Sequence, residues 1–166
     1  MQNKKRINKV VNQIKEAEKK AGSSSDQPRQ DLDYPTGEYT EAVGRRKVAT
    51  ARVRIYQEKG DFIVNDQPVA EYFADIPLAE DQYNLPFKLT KTEGDFAVTA
   101  KIEGSGKSSQ LDALVHGLSR ALEAFNPKLR SFLKEEGLLT RDSRMKETRK
   151  PGRGGKARAK RQSPKR

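Results

Sequence analysis

The sequence predicts an α/β fold, a two-layer α+β sandwich, followed by a long, extended basic tail. Apolar and polar residues alternate over 50–55 and 96–102, the period-2 pattern of half-buried strands. Apolar residues recur at helical spacing from Leu111 to Phe125. Positive charge is concentrated in residues 138–166.

Residues 1–37 read as an N-terminal extension and linker. Ile7, Val10, Val11, Ile14 and Ala17 fall at helical spacing, so 4–20 reads as a basic amphipathic helix. Gly22-Ser23-Ser24-Ser25, followed by Gln27-Pro28, reads as a flexible joint. The globular domain is expected over 38–137. Residues 38–56 are extended, with Ala51, Val53 and Ile55 on one face and Arg52 and Arg54 on the other. Glu58-Lys59-Gly60-Asp61 reads as a turn, and Phe62-Ile63-Val64 as a short strand ending at Asn65-Asp66. Pro68 suits the first turn of a short helix through Tyr72-Phe73, because its fixed φ is helical and its missing N–H is not needed there. Residues 74–84 give no clear period, and 85–90 read as a strand.

The stripe of Leu111, Leu114, Val115, Leu118, Ala121, Leu122 and Phe125 predicts one long amphipathic helix, broken at Asn126-Pro127. A second helix from Pro127 is expected to bury Leu129, Phe132 and Leu133 and to stop at Gly137 in a left-handed cap.

The chain has 166 residues, with 34 Lys and Arg against 23 Asp and Glu, a net charge of +11. Residues 38–137 are net −2, whereas the tail, 138–166, carries 12 basic and 2 acidic side chains, net +10. After Met145 the tail holds no large apolar residue, so alone it cannot offset its ordering entropy. It reads as an arm that orders against a polyanion. The absence of cysteine excludes disulfides and thiolate chemistry, and the single His116 excludes a histidine-cluster metal site. No cofactor is expected, nor any membrane span, because no apolar stretch approaches ~20 residues.

Three motifs bear on function. Gly104-Ser105-Gly106-Lys107-Ser108 opens the long helix, but a P-loop needs a glycine where this chain has Lys101. The loop suits either phosphate approach with Lys107 or close helix–sheet packing. His116 reads as a structural histidine. Gly44-Arg45-Arg46-Lys47 is a local cationic cluster in an acidic domain, read as a backbone-phosphate contact on a glycine-hinged loop. A P-loop-like phosphotransferase and a free basic nucleic-acid-binding protein are the rival readings.

Gly44-Arg45-Arg46-Lys47-Val48-Ala49-Thr50-Ala51-Arg52-Val53 resembles the opening strand of the small-subunit ribosomal protein nine family, of bacterial or organellar type. Gly104 to Gln110 with Ala113, His116-Gly117 and Arg120-Ala121-Leu122 is similar to that family's glycine-rich loop and helix. Gly137 to Arg144 resembles its exit into the tail, and Lys165-Arg166 its terminal pair. The resemblance spans 38–166. It implies a βαβ domain with a left-handed crossover and a non-enzymatic, structural role in the small ribosomal subunit. The implied partners are 16S-type rRNA in the subunit head, neighbouring head proteins and the P-site tRNA, with no membrane and no small-molecule substrate. The implied location is the ribosome, cytoplasmic rather than organellar. Carried onto this chain, the rRNA-binding residues are Arg45, Arg46, Lys47, Lys107, Arg141, Arg144, Arg149, Lys150, Arg153, Lys156, Arg158, Lys160 and Arg161. Lys165 and Arg166 are the tRNA-binding pair. The chain departs from the family in having Gly104-Ser105-Gly106 for a triple glycine, and Gln162-Ser163-Pro164 before the last two residues.

Limited proteolysis of the free protein should leave residues from about 40 to about 137 intact and cut first beyond about 145, where no core protects the chain. Mass spectrometry of the fragments checks this.

Overall fold

The computed structural model describes residues 34–149. Five strands form one sheet: β1 (Tyr39–Arg46), β2 (Ala49–Tyr56), β3 (Phe62–Val64), β4 (Gln67–Pro68) and β5 (Ala97–Glu103). Their order is β1-β2-β5-β3-β4, and every neighbouring pair is antiparallel except β3 with β5. The parallel pair is connected through β4, α1 (Val69–Tyr72) and α2 (Ala79–Thr90). After β5 come α3 (Lys107–Phe125), a 3₁₀ turn at Pro127–Leu129 and α4 (Arg130–Glu135). This is the expected two-layer α+β arrangement.

The core lies between the sheet and α3. Ala51, Val53 and Ile55 of β2 face it with Val98, Ala100 and Ile102 of β5, and all are buried. From α3 come Leu111, Leu114, Leu118, Ala121 and Leu122. The stripe read from the sequence is therefore the buried one, although Phe125 at its end is 37% exposed, its ring edge-on to Phe96.

Three expectations need correction. Residues 38–56 form two strands with a two-residue turn at Lys47-Val48, so the arginines close β1 rather than open a long strand. Gly44 is no hinge. It lies within β1, where a Cβ would overlap the Ala113 carbonyl oxygen and the Gly117 nitrogen of α3. The second correction concerns 85–90, which belongs to α2. The buried residues Ala79, Tyr83, Pro86, Phe87 and Thr90 follow the helical period, and Pro86 is accommodated inside the helix. Leu85 and Leu89 imitate a strand only when read apart from the residues before them. Finally, Phe132 is 53% exposed while Leu133 is fully buried. Adjacent helical residues point about 100° apart, so both cannot face the same core.

The predicted cap at Gly137 is present. Its φ is +71°, its N–H donates to the Lys134 carbonyl at 3.0 Å, and the Leu138 N–H donates to the Leu133 carbonyl at 3.1 Å. Those two bonds define a Schellman motif, which satisfies the last carbonyls of α4 and turns the chain out of the helix.

Replacing Gly44 with Ala should cost at least ~2–3 kcal/mol by overpacking two backbones that cannot yield. Gly106→Ala meets open space and should cost only about 0.5–1 kcal/mol, through a poorer helix cap. Urea denaturation of both variants measures the contrast.

Candidate nucleic-acid interface

The contact between Gly44 and Gly117 sets the geometry beside it. It brings the Arg45 backbone N–H to 3.2 Å from the His116 Nδ1 and lets it donate there. His116 is half-buried, and burial, followed by the positive charges of Arg120 and Arg141, lowers its pKa. The imidazole is thus held neutral, as a structural acceptor for β1.

Arg46 points to the helical side of the sheet, where its guanidinium reaches two carboxylates and a carbonyl. Its Nε meets Asp112 of α3 at 3.2 Å, and its two terminal nitrogens meet Asp142 at 3.1 Å and donate to the Arg144 carbonyl at 3.0 Å. One planar fork therefore joins a strand, a helix and the start of the tail, a geometry that lysine does not supply. Asp142 also accepts from the Arg144 N–H at 2.8 Å and from its guanidinium. The bonds from the Arg144 side chain and then its backbone N–H, with the positive charges of Arg144 and Arg46 behind them, hold its carboxyl well below the usual carboxylate range. Around the fork lies a cleft of about 380 Å³, lined in part by Arg45, His116, Thr140 and Arg144.

Lys47 is exposed at the hairpin tip with φ +52°, and Arg45 lies exposed on the opposite sheet face from Arg46. Arg141 stands close enough to His116 for its charge to be felt there, and Arg149 is exposed. The strand end and the tail exit are thus brought together. Lys107 is turned elsewhere. It donates to the Tyr72 carbonyl at 2.8 Å, with its ammonium 3.3 Å from the centre of the Tyr72 ring. Gln110 accepts from the Tyr72 hydroxyl at 2.9 Å and donates to the Gly104 carbonyl at 3.1 Å, fixing the glycine loop against α1. Gly104 itself has φ +79° and packs against the Val48 carbonyl, so close packing accounts for its position. Lys150, Arg153, Lys156, Arg158, Lys160, Arg161, Lys165, Arg166 and the helix read over 4–20 lie outside the described residues.

Sequence reasoning passed over Asp112 and Asp142, the acidic partners of Arg46. Asp112 carried a usable signal, since it stands one residue off the apolar stripe at the start of α3. Among the described residues no cluster of His, Cys, Asp or Glu is arranged to hold a metal, and no helix is long and apolar enough to cross a membrane.

Residues 44–166 match a protein-family model described as "Ribosomal protein S9/S16". The chain belongs to that family. A relative named "Small ribosomal subunit protein uS9" from Maridesulfovibrio salexigens is 46% identical over 129 residues, covering 78% of this chain and 98% of its own length. Another of the same name from Solidesulfovibrio magneticus is 46% identical over 122 residues, covering 73% of this chain and 93% of its own. The S9/S16 family is structural rather than enzymatic, which removes the phosphotransferase reading. The match begins at Gly44, the residue that seats β1 on α3 in this member of the S9/S16 family.

Because folding lowers the His116 pKa from 6.5, its contribution is complete above that value and is lost as pH falls through the lower, folded-state value. The urea midpoint should therefore drop between pH 7.5 and about 5.5. His116→Gln, which keeps an acceptor for the Arg45 N–H but does not titrate, should flatten that slope. A wild-type midpoint unchanged across this range would contradict it.

Proposed function

We propose that this chain is a structural constituent of the small ribosomal subunit that binds 16S-type rRNA in the subunit head and extends its C-terminal tail to the P-site tRNA. Residues 38–137 act as the rRNA-binding domain, 138–166 as an extended arm, and 1–37 as an appended segment. The observation that carries this reading is the Arg46 fork, which fixes where a segment of net +10 charge leaves an otherwise acidic domain. A polyanion is the partner such a segment requires, because each phosphate contact releases condensed counterions.

Arg45, Lys47 and Arg141 are exposed and present charge directly to phosphates, and Arg149, exposed as well, leads into the tail. Arg46, Arg144 and Lys107 serve mainly to shape the surface, since each is bonded within the chain. Lys150, Arg153, Lys156, Arg158, Lys160 and Arg161 continue the phosphate contacts, and Lys165 and Arg166 meet the tRNA backbone. Neighbouring head proteins complete the set of partners. The setting is the cytoplasmic ribosome, and the reading includes no cofactor or small-molecule substrate.

Binding to purified small-subunit rRNA should weaken steeply with salt. If about half of the 12 tail cations meet phosphates, log K against log salt should have a slope near −4 to −6, at ~0.7–0.9 per contact. Deleting 138–166 should remove most of that slope in a filter-binding titration. A slope near zero in the wild-type chain would show that the tail is not a phosphate binder.

A further inference from the structure

We propose that the helix-free face of the sheet is a second RNA-docking surface, independent of the tail and specific for the sugar–phosphate backbone. The inference rests on the rRNA-binding reading and extends it from Arg45 to Arg52, Arg54 and Lys101, the last two outside the motifs read from the sequence.

The strand register decides which side chains share this face. Glu41 pairs with Arg54, Arg45 with Thr50 and Arg52 with Lys101, so four cations of three different strands point away from the helices. No helix among the described residues covers them. The Arg52 side chain is 61% exposed, and Lys101 and Arg45 are exposed as well. Against these four cations the same face sets two carboxylates, Glu41 and Glu103, so it is net positive in a domain that is net −2.

Glu41, on the same face, offsets part of this charge, lying 2.8 Å from Arg54 and more loosely, 3.7 Å, from Arg52. Arg52 and Lys101 lie directly opposite each other on neighbouring strands, and like charges so placed are destabilising. A phosphate between them would turn that cost into attraction. Arg54 is bonded within the chain and frames the surface for Arg52 and Lys101. Its Nε donates to Glu41 at 2.8 Å, and its guanidinium lies 4.7 Å from the centre of the Tyr39 ring. Arg52 and Arg54 are two residues apart on one strand, about 6.5–7 Å, and face the same way.

Beside them runs a shallow groove of about 610 Å³, whose far wall is the Tyr34 hydroxyl bonded to Asp66 at 2.8 Å. Tyr39, half exposed at the end of the same row, offers a ring for a ribose or an unstacked base. Guanidinium forks beside an exposed aromatic ring fit RNA phosphates better than isolated carboxylates of a protein partner.

The test uses the full chain and purified small-subunit rRNA, titrated by filter binding at several salt concentrations. The double variant Arg52→Gln, Lys101→Gln should bind about 5–20-fold more weakly, with the salt slope shallower by ~1.5 for the two lost contacts. Lys101→Arg keeps the charge and should retain the wild-type slope. Lys128→Gln, Lys134→Gln removes the same charge from exposed positions beyond α3 and should leave affinity and slope nearly unchanged. Thermal melts of each variant confirm the fold. Equal behaviour of the two double variants would overturn the docking surface while leaving the ribosomal reading intact. Failure of the wild-type chain to bind would overturn the reading beneath it.

Discussion

Everything near the functional surface depends on how closely β1 approaches α3. Two glycines, Gly44 and Gly117, let the backbones meet where any side chain would hold them apart. That spacing brings His116 within reach of the Arg45 N–H and Arg46 within reach of Asp112. Because the side chains of a strand alternate, consecutive arginines are also split between the two faces, one toward the helices and one toward the outside. The pleat of β1 thus separates an arginine bonded within the chain from an exposed one.

Much of this fold was legible in the sequence because its periods are clean. The alternation over 50–55 put Ala51, Val53 and Ile55 together on the buried face of β2, and the apolar stripe located α3 and its end at Asn126. The miss at α2 has a physical origin. Its apolar positions include a tyrosine, a proline and a threonine, and a proline inside a six-residue window argues against helix until the preceding turns are included. Phe132 misled for the opposite reason, being apolar yet turned outward beside Leu133.

The candidate site was legible as composition and not as geometry. Counting cations found Arg45, Arg46 and Lys47, but nothing local says that Arg46 spends its guanidinium on Asp112 and Asp142, residues far away in the chain. The glycine-rich loop shows the same limit. Its resemblance to a phosphate cradle comes from Gly104 and Lys107, and the pairing of Lys107 with Tyr72 emerges only from the fold. Charge tells which surfaces suit an anion, while pairing tells which charges are still offered to one.

The Arg46 fork also fixes the origin of a tether. From Arg144, the 22 residues that follow span at most about 70–80 Å at ~3.3–3.6 Å each. If the fork were lost and the chain came away back to the Gly137 cap, the seven freed residues would lengthen that limit by about 25 Å. A longer leash spreads the same tip through a larger volume, so its local concentration at any one target falls. Three bonds on one guanidinium thereby set the length of chain that is free to explore beyond Arg144.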